Sequence, residues 1–176
     1  MIIKSMPTIL EKNNNAHLVI AGNDENNYKT YLKKLSKCFD LKYFDNDSIN
    51  SSYRDTKITF TGYLNNTDKK KAMVDSKLFL LSSHSENFGM TVIEAMACKL
   101  PVLISKNVGI SDKVIEYNAG VVFKNNIPDA VINILENKSK ADLLVMNAHR
   151  LLKEQYDIKG ISKEIIMKFE RIIKNN

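Results

Sequence analysis

The chain has 176 residues, 44% of them hydrophobic and 26% charged, which is the balance of one ordinary soluble domain with a sizeable core and leaves no room for a two-domain enzyme. Its 26 Lys and Arg against 20 Asp and Glu leave a net charge of +6, which favours anionic partners such as a nucleotide; the basic residues are scattered rather than clustered with aromatics, so nucleic acid is not an expected partner. Cys38 and Cys98 lie far apart with neither metal-like nor disulfide-framework spacing, and no apolar run suits a signal peptide or a membrane span, so a cytoplasmic location is expected, peripheral to the inner face of the membrane at most.

Ile2, Ile3, Met6, Ile9 and Leu10 recur at helical spacing and predict a helix over residues 1–12. Asn13-Asn14-Asn15 then leads into a strand over 17–21, which Gly22 ends. Tyr28, Tyr31, Leu32 and Leu35 form the apolar side of a helix over 26–38. Residues 40–55 are rich in Asn, Asp and Ser and longer than a usual connection, so they read as a surface excursion. A strand over 57–62 follows, then the turn Tyr63-Leu64-Asn65 and a short helix over 68–76. The Lys69-Lys70-Lys71 run in that helix reads as a solvated face.

Two apolar runs of strand length, Leu78-Phe79-Leu80-Leu81 and Pro101-Val102-Leu103-Ile104, bracket the stretch around which the rest is organised. Strand, loop, helix, strand is a unit of parallel sheets, whose ligands lie beyond the carboxyl ends of the strands, where the loop 82–89 emerges. Gly89 permits close backbone approach, and the free N–H groups of Met90 and Thr91 open a helix whose positive end suits a phosphate. On one continuous helix Glu86 and Glu94 would stand about 12 Å apart on different faces. With the helix beginning near Gly89, Glu86 sits on the loop and Glu94 about one turn in, so both border one cleft at opposite ends of an extended ligand. A diphosphate between a sugar and a ribose is such a ligand, because an ionised carboxylate accepts from both hydroxyls of a diol. His84 among serines reads as solvated, and Cys98 as core.

Residues 108–110 lead into a helix over 111–117 with Ser111 as its cap. A last strand is expected over 120–123. Three helices close the chain, over 128–136, 141–155 and 158–174, the last with Ile161, Ile165, Phe169 and Ile172 at spacings of three and four.

The run Glu86-Asn87-Phe88-Gly89-Met90-Thr91-Val92-Ile93-Glu94, continued through residues 95–102, resembles the donor-site motif of family-4 retaining glycosyltransferases of the GT-B fold. Residues 17–22, 58–63 and 108–112 fall in that family's order. The resemblance covers nearly the whole chain but only the second half of such an enzyme. It implies a three-layer α/β/α Rossmann-like domain with a parallel sheet. Residues 1–176 would be a single C-terminal domain. The family's first strand, a following turn whose Arg and Lys grip the donor phosphates, and the amino-terminal acceptor domain would all be absent.

The implied activity is retaining transfer from a nucleotide-diphosphate sugar, UDP- or GDP-linked, to a polysaccharide or glycolipid acceptor, without a cofactor or metal. The missing half would be supplied in cis or in trans. Glu94 would hold the ribose diol, and Glu86 would contact the donor sugar as the catalytic residue, supporting an oxocarbenium-like state. Asn87, Phe88, Gly89, Met90 and Thr91 would border the donor, and the backbone at Tyr63 and Leu64 would meet the base. Gly109 would present backbone donors to the sugar, and the last helix would leave its apolar stripe partly exposed. Three residues depart from the pattern: Ser82 stands where Pro is common, Asn87 where Gly is frequent, and Lys99 at a helix end usually filled by Gly. A left-handed conformation at Lys99 would cost about 1 kcal/mol. The rival readings are a sugar-nucleotide epimerase of the same fold and a non-catalytic nucleotide-sugar-binding subunit or fragment.

Overall fold

The computed structural model describes residues 2–46 and 55–157. Among them the order is α1 (Ile2–Lys12), β1 (Leu18–Ala21), α2 (Tyr28–Cys38), β2 (Tyr43–Asp45), β3 (Ile58–Gly62), α3 (Asn66–Asp75), β4 (Phe79–Leu81), α4 (Met90–Ala97), β5 (Val102–Ser105), α5 (Ser111–Glu116), β6 (Val121–Phe123), α6 (Ile127–Glu136) and α7 (Lys138–Gln155). The helix expected over 158–174, with its apolar stripe, and residues 47–54 of the 40–55 excursion lie outside the described residues. No described helix is long and apolar enough to cross a membrane.

Local chemistry fixes most element boundaries. Asn26 and Asn27 both adopt positive φ, 56° and 57°, so α2 begins two residues later than expected. Its apolar side is narrower too: Leu32 and Leu35 pack inward, whereas Tyr28 and Tyr31 are exposed and lie ring against ring at 5.5 Å. The supposed excursion contains a strand, β2, whose Tyr43 packs edge-on against Phe60 of β3 with centroids 5.6 Å apart. Asn65, expected in a turn, caps α3: its Oδ1 accepts from the Asp68 N–H at 2.9 Å while its amide donates to the Asp68 carboxylate at 2.8 Å. Ser111 is not a cap. Ile110 holds that position, and the buried Ser111 hydroxyl donates instead to the Lys106 carbonyl at 2.9 Å.

Three helices end alike. After α2, α4 and α5 the residue beyond the cap is left-handed, and the pair of backbone bonds that defines a Schellman motif closes each end. The residues there are Asp40, Lys99 and Asn118, with φ of 53°, 61° and 49°. The expectation for Lys99 is thus met: a lysine occupies a conformation that glycine adopts freely.

All strand pairs are parallel, as expected, but the strands form two ladders, β1-β3-β2 and β4-β5-β6, where one sheet was expected. Among the described residues β1 and β4 each hydrogen-bond along one edge only. The two ladders share their packing. Leu18 and Ile20 of β1 join Leu80 of β4 and Leu103 of β5 against a core built from Ile3, Met6 and Ile9 of α1 and Val131 and Ile134 of α6. On the other face Val102 and Ile104 of β5 pack with Val92, Ala95 and Met96 of α4 and Leu151 of α7. Consecutive residues of β5 therefore enter opposite cores and are fully buried on both sides. Helices cover both faces of the β4-β5-β6 ladder, the arrangement of a three-layer α/β/α Rossmann-like domain.

Candidate functional site

Parallel strands deliver their carboxyl ends to one edge, and three loops meet there. The loop after β4 carries Glu86 and is clipped by backbone to the loop after β5. The Glu86 N–H donates to the Asn107 carbonyl at 3.1 Å, and the Gly109 N–H donates to the Glu86 carbonyl at 2.8 Å, a one-rung parallel bridge. Gly109 was expected to offer its backbone to a ligand. Its N–H is taken by Glu86, and its lack of a side chain has a closer reason: a Cβ there would lie 2.0 Å from the Asn87 carbonyl oxygen. Gly89 is constrained twice, by φ of 88° and by Val108 Cγ1, which a Cβ would meet at 2.7 Å.

Gly89 is the N-cap of α4, and its carbonyl accepts from the Val92 N–H at 2.9 Å. The N–H groups of Met90 and Thr91 have no acceptor among the described residues and stand at the positive end of the helix dipole, both residues being exposed. Asn87 and Phe88 are exposed on the same loop, with the Phe88 ring edge-on to Tyr156 at 5.7 Å. Burial raises the Tyr156 phenol above its ordinary pKa, a shift Lys113 partly opposes, so it stays neutral at physiological pH. His84 is exposed.

Glu94 lies one turn into α4 and is half-buried. Its Oε1 accepts a hydrogen bond from the Lys69 ammonium at 2.9 Å. Its Oε2 is buried; the same ammonium is 2.7 Å away, but the geometry is that of an ion pair, and Oε2 receives no hydrogen bond among the described residues. An ionised carboxylate has about four lone-pair sites, more than one ammonium fills, so Glu94 can still accept from the hydroxyls of a ligand. Lys69 was assigned to a solvated face. No local signal distinguishes it from Lys70 and Lys71, which are exposed as expected.

The loop after β3 completes the edge. Tyr63 is 72% exposed and lines a cleft of about 350 Å³ with Gly22, Asn23, Asp24, Asn46 and Gly62, at the ends of β1, β2 and β3; Leu64 beside it is half-buried. The floor of the cleft is braced by Asp45, 2% exposed, which pairs with Lys29 at 2.9 Å and with Lys33. Asp24 accepts from the Lys29 N–H at 2.9 Å and so serves the start of α2, where Asn27 makes no side-chain cap. Asn23, Asp24 and Asn46 were not singled out from the sequence, because Asn and Asp in loops carry no distinctive pattern. Among the described residues no three His, Cys, Asp or Glu side chains come together as metal ligands would.

Comparison with known proteins gives the same picture. Over 170 residues the chain is 30% identical to an uncharacterized glycosyltransferase of Methanocaldococcus jannaschii, covering 94% of this chain and 39% of that one. It spans between 22% and 39% of the length of the first curated relatives it matches. Among solved structures, the C-terminal domain of the glycosyl transferase group 1 family protein LpcC from Francisella tularensis superposes with a TM-score of 0.69 at 18% identity, over 89% of this chain and 78% of that one. HepE of Anabaena in complex with UDP-glucose superposes with a TM-score of 0.68 at 19% identity, over 97% of this chain and 46% of that one. At these identities the superpositions establish the fold, a half of GT-B type. Residues 1–151 match the family described as glycosyl transferases group 1, and the chain belongs to that family.

Proposed function

We propose that the chain is the C-terminal, donor-binding half of a family-4 retaining glycosyltransferase. The observation that carries this reading is the half-buried Glu94 carboxylate, paired with a single ammonium and standing one turn from the two free N–H groups of α4. A ribose diol supplies hydroxyl donors, and the diphosphate attached to it suits the helix terminus one turn away. From there the ligand runs two ways, the base toward Tyr63, Leu64 and the cleft beside them, the sugar toward Glu86.

Glu86, oriented by main-chain bonds on both sides of its residue, is suited to contact the sugar and to support positive charge as the glycosidic bond breaks. Asn87, Phe88 and Gly89 shape that end, and Gly109 acts through the loop it allows to close. The leaving diphosphate is stabilised by the Met90 and Thr91 N–H groups together with basic residues from outside the described structure, with no metal. The donor is a UDP- or GDP-sugar, consistent with the UDP-glucose bound by HepE, and the acceptor is a glycan or lipid-linked sugar on the cytoplasmic side of a membrane. The acceptor half completes the enzyme in cis or in trans.

Calorimetric titration of the chain with UDP, GDP, ADP and their sugar conjugates tests the reading. One of them is expected to bind, with affinity that Glu94→Ala reduces at least tenfold, since a charge-assisted diol contact is worth about 1.5–3 kcal/mol. Binding that Glu94→Ala leaves intact would move the donor site elsewhere, and no binding by the folded chain would overturn the reading.

A further inference from the structure

Glu94 does not face its ligand alone. Lys69 is in the first turn of α3, immediately after the turn Tyr63-Leu64-Asn65, so one short stretch of chain sets both the rim of the cleft and the ammonium beside Glu94. Of the three consecutive lysines it is the one turned to the site; Lys71 pairs at 3.3 Å with Asp68 on its own helix, and Lys70 is exposed. Neither Lys69 nor Glu94 is free in solvent, with side chains 29% and 38% exposed.

The chemistry of a diol makes this pairing informative. Each hydroxyl is both a donor and an acceptor, whereas a carboxylate only accepts. A diol held by a carboxylate alone gives up its protons and leaves its own oxygens without donors once water is excluded, at a cost. An ammonium carries three N–H groups, of which the two oxygens of Glu94 take at most two, leaving at least one beside the carboxylate. Acceptors and a donor thus stand side by side, already oriented, with little left to order when a ligand arrives.

We propose that Lys69 is a specificity-determining residue of the donor site, which with Glu94 reads the ribose diol as a unit: the carboxylate takes the hydroxyl protons and the ammonium donates to a hydroxyl oxygen. The site therefore selects ribonucleoside over deoxyribonucleoside diphosphates. This rests on the donor reading above.

The test is calorimetric titration of the chain with UDP, 2′-deoxy-UDP and 3′-deoxy-UDP, or with the corresponding guanosine series if GDP binds better. The wild type is expected to prefer the ribonucleotide by about tenfold or more. Lys69→Met should weaken the ribonucleotide by about tenfold while leaving at least one deoxy analogue nearly unchanged, so that the preference collapses. Lys69→Arg should retain part of it. Equal losses for all three ligands would mean that Lys69 acts only through its charge, and no change would make it an ordinary surface lysine. Either result overturns the inference and leaves the donor reading standing, because Glu94→Ala reports on that reading separately. A wild-type chain that binds none of the three ligands overturns both. Lys69 is only half-buried, so Lys69→Met is expected to melt within a few degrees of wild type, and Lys69→Gln provides a second neutral variant.

Discussion

Two glycines and one ion pair define the site at the scale of single residues. Gly109 leaves no room for a methyl group, since its Cβ would sit 2.0 Å from the Asn87 carbonyl oxygen, an obstacle that no side-chain rotation relieves. Gly109→Ala is expected to force the two loops apart, with a loss of about 1–3 kcal/mol in urea denaturation and at least tenfold weaker nucleotide binding. A stability unchanged within error would mean that the clip is slack. The placement of Glu86 on the loop and Glu94 one turn into α4 was legible because glycine and charge fall close together in the sequence around one turn. Lys69 was not, because its partner is 25 positions away, and only the packing of α3 beside α4 brings them together.

Element boundaries were legible wherever an amphipathic stripe ran unbroken, as in α1 and α6, and less so where backbone conformation rather than hydrophobicity decided them. Asn26 and Asn27 delay α2 by occupying positive φ, and β2 hides in a stretch whose polar composition signals a loop. The shared helix ending makes a sharper point. Asp and Asn tolerate the left-handed region through local hydrogen bonding, whereas the lysine after α4 gains no such relief and is exposed. Lys99→Gly is therefore expected to stabilise the fold by about 0.5–1 kcal/mol, the left-handed penalty removed less the added entropy of an unfolded glycine. The corresponding Asp40→Gly change should gain less. A rise in melting temperature for Asp40→Gly as large as that for Lys99→Gly would contradict the argument.

For the whole molecule, β5 is the shared member. Its successive residues are fully buried in opposite cores, so neither core survives loss of the strand. Leu103→Ala and Ile104→Ala, one on each face, should each cost about 2–5 kcal/mol. Both should leave a single unfolding transition seen alike by circular dichroism and tyrosine fluorescence. A two-step melt in either variant would show that the faces unfold separately. Parallel pairing followed from the alternation of apolar runs with helical stripes, and the three layers from the resemblance of residues 86–102 to a known family. The division of the strands into two ladders did not, because pairing depends on which edges meet and the sequence of a strand carries no mark of its neighbour.

The bridge that holds Glu86 is made wholly of peptide groups, which every substitution short of proline leaves in place. The course of the backbone at Glu86 thereby rests on peptide groups, on the two glycines and on the Ser83 and Ser105 hydroxyls that brace the same loop. Substitutions at Asn87, Phe88, Lys106 and Asn107 can therefore change the surface beside Glu86 while leaving in place the backbone bonds that hold it. Main-chain stapling of this kind separates what holds a loop in place from what that loop presents to its surroundings.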